Sequence, residues 1–313
     1  MAPDTSTVSS PRTVAIAAAL DVVCIGAVLW NYLGHADTNL PHAADVPGLI
    51  TRQPGGVAMN VAVALRRFGL SPMLLSAVGD DGAGAELIEA CEGLGLATQY
   101  MRRVAGMATD RYVAIEDARG LVGAIADVRC LGAIGAGLLE PLLDGRLGSV
   151  ERPSHGTLIV DGNLDDETMR MLATSRAFAA ADLRIAAASS GKARSLLPLT
   201  AHPRAMFHVN RDEAGLLCAE TFTDAESAAR TLLERGAYRV VVTDGERSCC
   251  DAMRGAASVR AMPASVAVAR VTGAGDVFMA AHIAAELRGA DRDAALAAAL
   301  AAAGRHVAPE VCA

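Results

Sequence analysis

The chain has 313 residues, of which 52% are hydrophobic and only 3% aromatic, and its formal net charge at pH 7 is −7. This length and apolar content exclude a disordered protein and favour an α/β architecture, because helices rich in small residues pack closely on a sheet. The acidic balance, with no block of Lys and Arg between aromatic residues, argues against a nucleic-acid partner, so we expect a small-molecule ligand.

The cysteines and the N-terminus predict where the protein resides. The seven cysteines form no CxxC pair and show no metal-like spacing with histidines, which indicates reduced, mostly buried thiols in a cytoplasmic protein. Asp21 interrupts the apolar run near the N-terminus, and no uninterrupted apolar stretch reaches about 18 residues, so no membrane-spanning segment is expected. Residues 1–19 are predicted to be a flexible tail and residues 20–313 one domain.

The first elements along the chain alternate strand and helix. Residues 21–30 form a near-continuous apolar run, typical of a central strand buried on both faces. Residues 55–69 have apolar side chains at helical spacing, and residues 73–95 repeat strand, turn and helix. The two apolar arms around EDARG in residues 111–125 indicate a hairpin, and therefore a small sheet that covers something.

The second half of the chain continues this alternation. Strands are predicted at 157–161, 183–188, 205–209 and 238–243, and helices at 164–174, 191–197, 211–219, 224–235 and 291–307, with an apolar segment of helical composition after Asp276. The pattern predicts an α/β fold with a mostly parallel central sheet, helices on both faces and ligands at the carboxyl ends of the strands.

The stretch VTGAGD, residues 271–276, is the most informative motif. Gly273, Ala274 and Gly275 let the backbone approach a ligand at the start of a helix, where free amides bind anions. A carboxylate at Asp276 then makes sense as a base that takes a proton from a hydroxyl during phosphoryl transfer. From this motif alone, the alternative that Asp276 only caps the helix stays open.

Two further glycine-bearing stretches add to this interpretation. PGGVAMN places Gly55 and Gly56 at a strand-to-helix turn and Asn60 in the helix, where its amide could bind a polyol. The alternative is a tight turn followed by a solvated Asn. GDDGAG, residues 79–84, can be explained fully by a turn followed by a helix N-cap, without a role in ligand binding.

Taken together, the motifs resemble a known family. The order Gly-Gly-x-x-x-Asn, Gly-Asp-Asp-x-x-Gly, NRDE and TGAGD is similar to the ribokinase-like (PfkB) carbohydrate kinases across residues 20–308, and most similar to their pseudouridine and nucleoside kinase branch. The resemblance implies an α/β core with a β lid, at approximately 31–54 and 97–127, and ATP and Mg²⁺ as cosubstrate and cofactor. It also implies phosphorylation of an alcohol on a sugar or nucleoside, with a pseudouridine-like substrate favoured, and a homodimer that pairs through the lid.

The resemblance assigns roles to residues by matching position. These are Asp276 as catalytic base; Gly273, Ala274 and Gly275 as anion hole; Asn31, Gly55, Gly56 and Asn60 for substrate; Thr243, Gly245 and Asn210 for nucleotide; and Glu213 for Mg²⁺, indirectly through water.

The chain also departs from the family pattern. Asn31 replaces an Asp that grips two substrate hydroxyls, and Arg270 replaces an acid or amide that helps to form a monovalent-cation site, which makes activation by such a cation doubtful. Ala187 and Ala188 replace an acid near Lys192, a side chain that could reach a phosphate or lie in solvent.

The last departure is Ser248, which replaces a glycine and is expected to crowd the nucleotide loop. The departures leave a second hypothesis open, a degenerate kinase fold that binds nucleotide or nucleoside without fast turnover. A dinucleotide oxidoreductase would need a glycine-rich turn after the first strand, and IGAVLWNYLG lacks one.

Overall fold

The computed structural model describes residues 22–42, 45–188 and 190–309, so the predicted tail and Cys312 lie outside the described residues. The strands are β1 (Val22–Ile25), β2 (Leu29–His35), β3 (Leu49–Gly55), β4 (Pro72–Leu75), β5 (Ala77–Gly79), β6 (Arg102–Val104), β7 (Arg111–Asp117), β8 (Gly120–Asp127), β9 (Thr157–Asp161), β10 (Asp182–Ala186), β11 (Ala205–Asn210), β12 (Arg239–Thr243), β13 (Cys249–Met253) and β14 (Val259–Ala261). The helices are α1 (Val57–Arg67), α2 (Gly82–Gly93), α3 (Cys130–Ile134), α4 (Asp166–Thr174), α5 (Arg211–Cys218), α6 (Ala225–Glu234), α7 (Ala274–Leu287) and α8 (Arg292–Val307), with 3-10 segments at Gly135–Leu142 and Ser190–Ala201.

An eight-stranded sheet forms the centre of the molecule. Its order is β14-β13-β12-β11-β10-β9-β1-β4, and the strands from β12 to β4 are parallel. The apolar strand β9 is buried at every position, as expected when helices cover both faces of a sheet. The prediction of a mostly parallel sheet is confirmed; β13 and β14 add an antiparallel edge.

Helices cover both faces of this sheet. Helices α1, α2, α7 and α8 pack on one face, and α3 to α6 pack on the other. Helix α7 lies deepest, because the seven consecutive residues Phe278–Ala284 are all buried. It therefore projects its first turn, with Asp276, from the core toward the carboxyl ends of the strands.

A second sheet, with order β3-β2-β7-β8, forms the lid. The predicted hairpin is present as β7 and β8. The prediction of one strand over 21–30 is wrong, because the chain leaves the central sheet after Ile25 and enters the lid at Leu29. Ile25 and Leu29 are both buried, so the apolar run continues from the end of β1 into the start of β2. The predicted lid segment 97–127 is also too long, since β6 pairs with β5 in a separate two-stranded sheet.

Three smaller predictions have clear outcomes. The predicted helix at 191–197 is a 3-10 segment, because Pro198 within it has no N–H to continue an α-helix. The six cysteines within the described ranges are buried and unpaired, as expected. Across the same ranges, no helix combines the length and apolar character needed to cross a bilayer.

Candidate active site

A cavity of about 1260 Å³ lies between the lid and the carboxyl ends of the central strands. It brings together residues that the sequence separates by more than 240 positions. The predicted residues that line it are Asn31, Gly56, Asn60, Asn210, Glu213, Thr243, Gly245, Gly273, Ala274, Gly275 and Asp276. Gly55 is the predicted site residue that does not line it.

Asp276 is the candidate base at the centre of this cavity. Its Oδ2 accepts a hydrogen bond from Asn60 Nδ2 at 3.0 Å, so Asn60 orients the carboxylate as well as facing the ligand space. Burial raises the pKa of Asp276 to about 7; the Asn60 bond opposes this rise, and the charges of Asp161 and Glu213 add to it. A carboxylate with a pKa near neutrality is suited to general base catalysis.

The backbone before Asp276, where the anion hole is predicted, has three unpaired amides and one paired amide within the described ranges. The amide of Ala274 donates to the carbonyl of Val271 at 3.1 Å, so it is already used within the turn. The amides of Gly273, Gly275 and Asp276 have no acceptor in the part of the chain that the structure describes. These unpaired amides at a helix N-terminus can bind an anion, whereas the amide of Ala274, also predicted to contribute, already has Val271 as its acceptor.

The two glycines of the PGG turn have different roles. A Cβ on Gly55 would lie 2.1 Å from Asn31 Nδ2, so Gly55 makes room for the Asn31 side chain instead of contacting ligand. Gly56 has a φ of +100°, and a Cβ there would lie 2.2 Å from the carbonyl oxygen of Ala27. The turn therefore requires glycine at position 56, while Gly55 leaves space for the Asn31 side chain beside the start of α1.

Asn210 and Glu213 form a capping box at the start of α5. Asn210 Oδ1 accepts from the Glu213 amide, and Glu213 Oε2 accepts from the Asn210 amide, both at 2.8 Å. Burial raises the pKa of Glu213. No group of three metal-ligating side chains occurs among the described residues. This arrangement fits Mg²⁺ held by phosphates and water, with Glu213 nearby, because Mg²⁺ retains much of its hydration in such sites.

The end of β12 and the loop that follows form the side of the cavity where the nucleotide is predicted to bind. Thr243 and Gly245 both line the cavity. Burial raises the pKa of Asp244, which lies between them in the sequence and forms an ion pair with Arg211 at 3.2 Å. Ser248 does not line the cavity, so the expectation that it crowds the nucleotide loop is not supported.

Sequence reasoning missed a buried carboxylate below the site. Asp161, at the end of β9, is fully buried and accepts hydrogen bonds from the amides of Ala27, Ala58 and Asn163. It joins the end of β1 to the start of α1, and its charge contributes to the raised pKa of Asp276. An acid that ends an apolar strand, as in LIVDGN, was the available signal.

Of the predicted departures, Asn31, Ala187 and Ala188 line the cavity, whereas Arg270 is not among its lining residues. Lys192 lines the cavity beside Ala187 and Ala188, and its Nζ donates to Asn163 Oδ1 at 2.5 Å, so this side chain does not simply point into solvent. Arg270 is exposed, yet its Nε donates to the carbonyl of His306 at 2.9 Å.

A lidded α/β domain with a base and free amides at the mouth of one helix has the architecture of a small-molecule kinase. Residues 19–308 match the model of the pfkB family carbohydrate kinases, and the chain belongs to that family, whose members are phosphotransferases with hydroxyl acceptors. This confirms the resemblance stated above.

Individual relatives agree with the family. The chain is 28% identical over 266 residues to a pseudouridine kinase of Escherichia coli, covering 83% of this chain and 81% of that protein. It is 32% identical over 154 residues to the uncharacterized sugar kinase YeiI of the same organism, covering 49% of this chain but only 41% of that protein. Among solved structures, Arabidopsis thaliana ribokinase complexed with ribose and ATP superposes with a TM-score of 0.70 at 17% identity, covering 93% of each chain, which supports the fold.

Proposed function

We propose that this protein is an ATP-dependent kinase that phosphorylates a hydroxyl of a sugar or nucleoside, with pseudouridine-like acceptors favoured. One observation carries the proposal: the half-buried carboxylate of Asp276, with a pKa raised to about 7, lies next to unpaired amides and faces the cavity under the lid. Phosphoryl transfer to an alcohol needs a base and an anion site at one point, because the attacking oxygen loses a proton while the phosphoryl oxygens carry charge.

The chemistry follows from these positions. The acceptor hydroxyl gives its proton to Asp276 while its oxygen bonds to the γ-phosphorus of ATP, and the bond from that phosphorus to the bridging oxygen of ADP breaks. The free amides of Gly273, Gly275 and Asp276 stabilise charge on the equatorial oxygens. Mg²⁺, when bound, would neutralise charge on the ATP phosphates, and Asn210 and Glu213, which line the cavity, would hold water of its shell.

The inner face of the lid supports a nucleoside acceptor. Gln53, Asn31 and Tyr112 lie opposite one another on three adjacent strands, and all three line the cavity. Amide side chains both donate and accept, which matches the carbonyl and N–H groups alternating around a uracil-like ring. The 28% identity to a pseudouridine kinase supports the same acceptor class.

The test is ADP release with MgATP against a panel of pseudouridine, uridine, other nucleosides, ribose, fructose and fructose phosphates. Turnover on one class, lost in Asp276→Asn, would support the kinase and identify its acceptor. A second candidate function, binding of nucleotide or nucleoside without fast turnover, is favoured by neutral Asn31, Ala187 and Ala188 at positions where the family resemblance implies acids. Silence across the panel, together with ATP or nucleoside binding by calorimetry, would select this second function.

A further inference from the structure

The C-terminal turn of α8 is joined to the loop that leads into the anion hole. The carbonyl of Val307 accepts from the amide of Ala269 at 2.8 Å, and the carbonyl of His306 accepts from Arg270 Nε at 2.9 Å. The last carbonyls of a helix have no partner within the helix, so this loop supplies the donors that they lack.

The side chain of His306 also contacts this loop, and here α8 supplies the side chain and the loop supplies the carbonyl. Its Nε2 lies 2.8 Å from the carbonyl oxygen of Thr272. A carbonyl oxygen only accepts, so Nε2 is the protonated nitrogen of this ring and donates. The contact joins two residues that are 34 positions apart in the sequence.

The position of Thr272 gives this hydrogen bond its consequence. The carbonyl of Thr272 and the amide of Gly273 belong to one planar trans peptide unit, in which C=O and N–H point in opposite directions. Holding the carbonyl therefore fixes the direction of the Gly273 amide, which is one of the unpaired amides of the anion hole. Gly273 has a φ of +81° and precedes α7, which begins at Ala274. The peptide unit that joins Thr272 to Gly273 therefore lies outside the regular helix and is not held by it.

We infer that His306 is a positioning residue for phosphoryl transfer: by donating to the Thr272 carbonyl, it aims the Gly273 amide at the transferring phosphoryl group. This inference rests on the proposed kinase function, since it assigns the anion hole to that group. His306 itself contacts the loop and takes no part in the chemistry.

Two substitutions of similar size separate the hydrogen bond from packing. His306→Gln keeps an N–H donor at a comparable reach, whereas His306→Leu removes the donor but keeps volume and helix propensity. Arg305→Ala is the control, because Arg305 lies next to His306 on the same turn and is exposed. His306→Asn, whose shorter amide falls short of the carbonyl, replaces the leucine variant if that variant does not fold.

The measurements are kcat and KM for the acceptor found in the panel, and calorimetric affinities for MgADP and for the Mg²⁺ complex of a non-hydrolysable ATP analogue. We expect kcat to fall about 10- to 100-fold in His306→Leu, with the acceptor KM nearly unchanged. This loss of kcat is smaller than the loss of up to about 1000-fold that follows when an oxyanion-hole donor is removed outright. His306→Gln should retain kcat within about threefold, as should Arg305→Ala. The leucine variant should also lose preference for the triphosphate analogue over ADP.

The outcomes separate this inference from the kinase assignment. Normal kcat in His306→Leu, or an equal loss in the leucine and glutamine variants, would overturn the positioning role while leaving the kinase intact. If the wild-type protein binds nucleotide but turns over no acceptor, the kinase function fails; a loss of triphosphate preference in His306→Leu then supports the contact between the Gly273 amide and the terminal phosphate, and an unchanged preference overturns it. Wild-type protein that binds neither nucleotide would overturn both.

Discussion

Replacing Asp276 by Asn should remove activity and stabilise the fold at the same time. The substitution keeps the shape of the side chain and an oxygen that accepts from Asn60, but it removes both the base and the buried charge. Loss of a general base costs about two to four orders of magnitude in kcat, while nucleotide affinity should stay nearly constant because the backbone amides remain.

The gain in stability follows from the raised pKa. A shift of the pKa of Asp276 from about 4 in the unfolded chain to about 7 in the fold corresponds to roughly 4 kcal/mol. This figure is an upper limit, because the side chain borders an open cavity, and about 2 kcal/mol is the working value. Between these two pKa values the native state binds more protons than the unfolded state, so the wild-type protein loses stability as pH rises from 4 to 7. The advantage of Asp276→Asn is therefore absent below pH 4 and complete at pH 8.

The assay is thermal unfolding of both proteins at pH 5 and pH 8, together with turnover at pH 8. About 2 kcal/mol at pH 8 raises Tm by roughly 3 °C for a domain of this size, with a smaller difference at pH 5. Asp293→Asn is the matched control, since Asp293 is an exposed acid in the first turn of α8. An Asp276→Asn variant that is less stable than wild type at pH 8 would refute the reasoning about its charge, and one with normal turnover would refute its role as base.

Further predictions concern the acceptor, the cation and the lid. Asn31→Ala should raise the acceptor KM about tenfold, the value of one hydrogen bond, with the ATP KM unchanged; equal changes in both would contradict a role confined to the acceptor. Exchanging potassium for choline should change kcat less than twofold, because Arg270 stands where the family resemblance implies an acid or amide of a cation site, and clear activation by potassium would disprove this. The outer lid face exposes Ile50 by 77% and Ile125 by 74%, so we expect a dimer at micromolar concentration and a monomer in Ile50→Lys/Ile125→Lys by light scattering. A monomeric wild-type protein would contradict it.

Local sequence signals predicted much of this fold. The strand at 157–161 is placed correctly to the residue, and the helices over 211–219, 224–235 and 291–307 begin and end within one residue of α5, α6 and α8. Each of these helices begins after an Asn or Asp that caps it through its own side chain. Caps and periodicity act within a few residues of chain, which is the range over which sequence reasoning is most reliable.

The features that were missed depend on distant contacts. The boundary between β1 and β2 lies inside an apolar run, because the chain passes from one buried sheet to another. Gly55 was predicted to contact substrate, whereas it leaves space for Asn31, and the amide of Ala274 is used by Val271. Asp161 accepts a hydrogen bond from the amide of Ala58, which lies 103 positions earlier in the sequence. Such roles follow from tertiary packing, which a single sequence does not contain.

The deep burial of α7 also determines how fast the two sides of the site, α7 and the lid, exchange their amide hydrogens with solvent. The amides of Phe278–Ala284 are enclosed by protein, so their hydrogens should exchange with deuterium only through global unfolding. Strands β3 and β8 are exposed along most of their length, and their amides should exchange through small local openings. Phe278–Ala284, which hold the helix that carries the base, should therefore exchange slowest, whereas β3 and β8 exchange faster, so a bound acceptor should slow exchange in these lid strands while leaving Phe278–Ala284 unchanged.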